Sequence, residues 1–131
     1  MPHSLLRLLA LALALLAAAC QPHHDAIPTP QQLEGTWLTS REENSGDTLV
    51  FRPNTHAFPP SRGRTGFAIK PFGRFEQFDI APTDGLATRP GTWTADGPTR
   101  LHIHLTDGRE PDFTYEILSL ENKVLKLRRR P

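Results

Sequence analysis

From Leu33 onward, apolar residues recur at every second position in short runs, and each run stops at Gly, Pro, Asn or Asp. A period of two sends alternate side chains to opposite faces of an extended chain, so each run reads as a strand with one buried and one wet face. The runs are Gly35-Thr36-Trp37-Leu38, Leu49 with Phe51, Phe67 with Ile69, Phe75 with Phe78 and Ile80, Thr92-Trp93-Thr94, Leu101 with Ile103 and Leu105, Phe113 with Tyr115 and Ile117, and Leu125 with Leu127. Between them lie Ser45-Gly46-Asp47, Pro71-Phe72-Gly73, Asp96-Gly97-Pro98, Asp107-Gly108-Arg109 and Glu121-Asn122, which tolerate positive φ and suit antiparallel hairpins. No stretch after Gln32 keeps a helical period. One-sided alternation argues against a parallel α/β sheet, and strands linked by hairpins lose their exposed edges only by closing. The expected fold is therefore all-β, a small up-and-down antiparallel eight-stranded barrel.

Two longer connections, 53–64 and 81–90, interrupt the pattern and are expected to be loops over one mouth. Binding groups ride on such loops, so function is sought there first.

The chain opens differently. Residues 1–19 carry His3 and Arg7, then a wholly apolar stretch over 8–16, then Ala17-Ala18-Ala19 directly before the single cysteine, Cys20. This is the layout of a secretory signal, and its apolar core falls short of the ~20 residues that span a bilayer. The string Leu15-Leu16-Ala17-Ala18-Ala19-Cys20 resembles the lipobox of bacterial lipoproteins, with Ala17 standing where leucine is usual. The resemblance implies cleavage after Ala19, diacylglycerol on the Cys20 thiol, an acylated new amine, and attachment to a membrane through lipid alone. An ordinary signal cut at the same place is the alternative, since Ala17 and Ala19 also satisfy the small-x-small rule. Gln21 follows the cysteine where an inner-membrane retention signal would show aspartate, which implies the bacterial cell envelope, on the outer membrane facing the periplasm. The expected organisation is a signal peptide over 1–19, a lipidated cysteine with a flexible spacer broken by Pro22, Pro28 and Pro30 over 20–32, and the barrel domain over 33–131.

Cleavage would remove Arg7, leaving fourteen basic residues against fourteen acidic ones. A nucleic-acid partner is not indicated by such a balance. With Cys20 acylated, no thiol remains for a disulfide, so about a hundred residues must hold together through one modest core.

Gly35-Thr36-Trp37 opens the domain, and the triplet returns as Gly91-Thr92-Trp93. Glycine before an indole permits close backbone approach while the ring plugs one end of a barrel. A Gly-x-Trp on the first strand followed by antiparallel strands resembles the lipocalin and avidin type of calycin barrel. The segment Phe58-Pro59-Pro60-Ser61-Arg62-Gly63-Arg64-Thr65-Gly66-Phe67, with Asp79-Ile80-Ala81-Pro82-Thr83-Asp84 downstream, resembles a group of small bacterial lipocalin-like proteins without an assigned activity. The chain lacks the disulfide, the terminal helix and much of the length of large lipocalins. The resemblance implies a small apolar or amphipathic ligand, with Trp37 and Trp93 near the barrel base and Arg62 or Arg64 near the mouth. Against this stands the number of large side chains competing for an eight-stranded interior, which would leave a filled barrel acting as a structural or protein-interaction module of the envelope.

Other chemistry is thinly represented. Arg62 and Arg64 are suited to clamp a carboxylate or phosphate, or to pair with Glu76, Asp79 or Asp84 and pin loops. His102 and His104 share one strand face, a spacing that also occurs in metal sites. They lack an evident third ligand, however, and Leu101, Ile103 and Leu105 claim the core face. His23 and His24 lie in the spacer. Arg128-Arg129-Arg130 is expected to be a solvated terminus. Ser40, Ser45, Ser61 and Ser119 have no nucleophile elbow around them, and no carboxylate pair has a recognisable signature. The chain is expected to be neither an enzyme nor a cofactor protein.

Overall fold

The computed structural model describes residues 28–83 and 85–131. Cys20, the signal and most of the spacer lie outside the described residues, as does Asp84.

Eight strands form one closed antiparallel barrel: β1 (Gly35–Thr39), β2 (Leu49–Pro53), β3 (Gly66–Ile69), β4 (Arg74–Ile80), β5 (Leu86–Ala95), β6 (Arg100–Leu105), β7 (Phe113–Glu121) and β8 (Val124–Arg130). Each expected strand is present. Hairpins join β3 through β8 in sequence, and their turns use positive φ at Phe72, Gly73, Gly97, Gly108, Asn122 and Lys123.

The up-and-down series carries one crossover. β1 lies between β2 and β3, pairing Trp37 with Pro53 on one side and with Phe67 on the other, while β2 turns its far edge to β8. Segment 54–65 therefore travels from the end of the barrel where β1 begins, here the base, to the opposite end, here the mouth, passing over β1. It leaves the base with Asn54 N–H donating to Thr36 O, and arrives with Thr65 O accepting from Thr39 N–H.

Half of the second expected loop is strand. β5 begins at Leu86, so 81–90 shrinks to a short turn at the mouth. Pro90 concealed this, because proline is excluded from central ladders. It is tolerated here because the β5–β6 ladder starts one residue later, at Gly91 opposite Leu105. The basic terminus also differs from expectation. Arg128, Arg129 and Arg130 complete β8 and pair with Asp47, Glu110 and Glu116.

The inward faces meet in a packed centre. Phe67 lies 4.9 Å from Phe51, 5.8 Å from Phe75 and 5.0 Å from Tyr115, measured between ring centroids. Leu33, Trp37, Ile69, Leu101, Ile103, Leu125 and Leu127 are among the residues buried with them. At Leu118 a bulge in β7 admits one extra residue, so Ile117 and Leu120 both contribute to the core despite their odd and even positions. Leu33 comes from a short 3-10 turn, Pro30–Leu33, whose carbonyl accepts the Trp37 indole N–H at 2.8 Å.

The two Gly-Thr-Trp triplets use glycine for different reasons. Gly35 has φ of 136° and open space around it, so backbone conformation selects it. At Gly91 a Cβ would lie 2.4 Å from the His104 carbonyl oxygen, so strand proximity selects it. Gly66 is tighter still, with Trp37 O at 2.1 Å from the Cβ position. Gly66→Ala is expected to destabilise the barrel by about 1–3 kcal/mol, the usual cost of overpacking, whereas Gly85→Ala, which meets nothing within 4 Å, is expected to stay within about 0.5 kcal/mol of the parent. Denaturant titration of the two variants measures the difference.

Candidate functional site at the barrel mouth

Several inward columns change character between base and mouth. On β4 the column runs Phe75, Gln77, Asp79; on β8 it runs Leu125, Leu127, Arg129; on β5 it runs Trp93, Gly91, Arg89. Polar side chains therefore collect above the aromatic packing, where solvent can still reach part of them.

Arg89 organises this layer. Its side chain is 10% exposed and binds three carboxylates: Asp107 through Nε at 2.6 Å, Glu110 through Nη1 at 2.7 Å and Asp79 through Nη1 at 3.0 Å. A guanidinium presents a planar fork of donors, which lets one cation satisfy several acceptors where an ammonium would offer a point charge. Arg129 joins through Glu110 and lies over the Phe113 ring, 3.7 Å from its centroid. The hydrogen bond from Arg89 holds the Asp107 carboxyl down at about 2, with the Arg109 backbone N–H assisting. Burial works against Glu110, yet Arg129 and Arg89 together keep its carboxyl below the ordinary range.

Against Asp79 and Arg129 opens a cleft of about 170 Å³. Thr39, Phe51, Thr65, Gln77, Tyr115 and Arg129 contribute to its wall. The Thr39 and Thr65 hydroxyls are 3.2 Å apart and share a hydrogen bond. Burial pushes the Tyr115 phenol above its usual range, so it stays protonated and able to donate.

The four ligand residues expected from the sequence do not form one site. Trp37 is buried at the base, its indole N–H bonded to Leu33 O; Trp93 is half-buried at the same end, with its N–H on Lys70 O at 2.9 Å. Arg64 belongs to the mouth end but to the outer side. It bonds the Thr39 and Pro59 carbonyls and pairs with Glu42 through two hydrogen bonds of 3.0 and 2.7 Å, while stacking on Phe58. Its partner is thus Glu42, in place of the expected Glu76, Asp79 or Asp84. Glu43, the next residue, takes Arg52 of β2 in a matching pair at 2.6 Å. The two neighbouring carboxylates, each held at about 2 chiefly by its arginine, clasp β2 and the end of the crossover on either side of β1. Arg62 is exposed.

His102 and His104 point outward as expected, but they have a partner that sequence spacing did not reveal. Asp112, from the β6–β7 connection, bonds His102 Nε2 at 2.9 Å and His104 Nδ1 at 2.7 Å. Both contacts lower the Asp112 pKa, that to His104 the more. Among the described residues no group of three His, Cys, Asp or Glu side chains is arranged to hold a metal ion.

Sequence reasoning missed Arg89, Asp107, Glu110 and Gln77. One signal was present: Arg89, Gly91 and Trp93 share parity, so a strand through Pro90 would have turned a charged side chain inward. No family model, no curated protein and no solved structure matches the chain.

Asp107 has a lowered pKa in the folded state, so its contribution to stability is complete above the ordinary carboxylate range and is lost as pH falls from about 4 towards 2. Arg89→Met is expected to destabilise the barrel near neutrality by about 1–2 kcal/mol, since Asp79 and Asp107 lose their partner while still reaching water and Glu110 keeps Arg129. It is also expected to make the acid limb of the stability curve shallower between those pH values. Thermal unfolding across a pH series, with NMR titration of Asp107, checks both.

Proposed function

We propose that this protein is a lipoprotein of the bacterial cell envelope, anchored through Cys20 on the periplasmic side of the outer membrane. In this reading its lipocalin-like barrel is a non-catalytic interaction module that engages its target at the mouth. The observation that carries the second half is the packing of Phe67 against Phe51, Phe75 and Tyr115, which fills the middle of the barrel with side chains. The first half rests on the apolar leader, the small residues before Cys20, and the absence of any other cysteine.

The reading in which Trp37 and Trp93 line a cavity for a small apolar or amphipathic ligand is the rival. Both indole N–H groups are already spent on backbone carbonyls, and Trp37 lies beneath Leu33 in the buried cluster. A ligand reaching them would have to displace core side chains, losing burial worth about 1.5–3 kcal/mol for each large one. The filled barrel is therefore the better-supported form. Acid-base or nucleophilic chemistry has no support of comparable weight, because the carboxylates of the mouth are engaged by Arg89.

Two measurements test the proposal. Cells supplied with labelled palmitate are expected to label the wild-type protein and leave Cys20→Ser unlabelled and released from the membrane fraction. Persistent membrane attachment of Cys20→Ser would sink the anchor. Titration with fatty acids and retinoids is expected to leave the emission of both tryptophans unchanged, whereas a saturable quench would restore the cavity reading.

A further inference from the structure

One large side chain is placed against both of its preferences. Phe72, at the tip of the turn between β3 and β4, is 98% exposed. Its backbone is left-handed, with φ of 61° and ψ of 33°, a region in which a bulky side chain crowds its own main chain. The β7–β8 turn is also left-handed, and there Asn122 takes the position at φ of 50°, a residue type that tolerates it. A phenyl ring at Phe72 therefore serves neither the turn nor the core. Single apolar side chains on a surface are ordinary, but an exposed ring on an unfavourable backbone points to a contact made outside the domain.

The position of this turn decides what it meets. Phe72 stands at the base, just beyond the register pair of Gly35 at the start of β1 and Ile69 at the end of β3. The segment leading to Cys20 enters the domain beside it, through Glu34 and the buried Leu33. Pro28 is eight residues beyond Cys20, and at no more than ~3.6 Å per residue that stretch spans at most ~30 Å. This is about the length of β5, which has ten residues at ~3.3 Å each. A lipid on Cys20 thus confines the base, and the turn on it, to the neighbourhood of the bilayer.

The residues around Phe72 suit that surface. Arg74 follows the turn and is exposed. Lys70 precedes it, with an ammonium group that pairs with Glu76 at 2.5 Å and still reaches water. Trp93, half-buried, donates its indole N–H to Lys70 O at 2.9 Å and so sets a second aromatic ring behind the turn. Aromatic rings favour the boundary between headgroups and acyl chains, and flanking cations reach the phosphates above it. Glu34 and Asp96 are exposed at the same end, so the ring, rather than net charge, carries the contact.

We infer that the β3–β4 turn is a membrane-contact element, with Phe72 entering the lipid interface beside the tether and Lys70 and Arg74 meeting phosphates. The barrel then rests with its base on the membrane and its mouth turned away from it. The inference rests on the anchor proposed for Cys20 and deepens it, because a lipid leash alone leaves the domain free to tumble, whereas a second contact gives it an orientation.

The acylated protein purified from membranes is placed in nanodiscs of phosphatidylethanolamine and phosphatidylglycerol containing a spin-labelled lipid, and its amides are followed by NMR. Those of Phe72 and Gly73 are expected to broaden, while those of Gly85 and Gly108 at the mouth keep their intensity. Phe72→Asn suits the left-handed turn, so it is expected to keep or raise the melting temperature. It is also expected to lower the ratio of docked to undocked base about tenfold, the scale of one large apolar side chain withdrawn from burial, with the broadening at Gly73 falling accordingly. Phe72→Trp is expected to add emission that lipid brominated in its acyl chains quenches, and Leu86→Trp at the mouth to add emission that it does not. Equal broadening at Gly73 and Gly85, or parental broadening in Phe72→Asn, overturns the inference. A Gly73 shift that follows protein concentration and ignores lipid overturns it too, and makes a second copy the occupant. Acylated protein that stays with the nanodiscs without broadening at Phe72 removes this contact alone; protein that carries no palmitate and does not join them removes the anchor as well.

Discussion

Phe67 sits against three other rings inside a barrel of only eight strands. An interior of that circumference holds side chains or one small molecule, not both in comfort, and here aromatic rings occupy the middle. The consequence reaches every other feature. Strands must approach closely enough that Gly66 and Gly91 cannot carry a Cβ without meeting a backbone oxygen. Polar inward residues are displaced to the rim, where Arg89 and its three carboxylates form a lid of charge over the hydrocarbon.

Much of this architecture was legible in the residues. Strand periodicity is a local property, and Leu101-Ile103-Leu105 or Phe113-Tyr115-Ile117 announce themselves within six residues. The turns were equally local, because positive φ at Gly97, Gly108 or Asn122 depends on the residue that adopts it. The mouth was not legible, for the opposite reason. Arg89 meets Asp107 and Glu110 across 18 and 21 positions of chain, and parity alone says which side a residue faces, not which neighbour it finds. Pro90 compounded the difficulty by making a central strand resemble a loop.

The order of the first three strands was hidden for a further reason. Hairpin logic assigns each strand to the one before it, and β1–β2 obeys that logic. The departure comes at 54–65, where twelve residues without an apolar period give no sign of travelling the length of the barrel. Two ion pairs brace the arrangement at the mouth end: Glu42 with Arg64, and Glu43 with Arg52, reached from a single short turn. Both arginines were visible as basic residues in the sequence. Their partners were not, because the clasp closes only once β1 has been threaded between its neighbours.

That threading has a mechanical consequence. The segment leading to any membrane attachment enters the domain through β1, which is hydrogen-bonded along both edges. Tension applied to that end runs parallel to the strand and loads both ladders in shear. A strand at the margin of a sheet would peel one bond at a time; this one must slip against two partners together, so the domain meets a pull on its N-terminal end with its most resistant geometry.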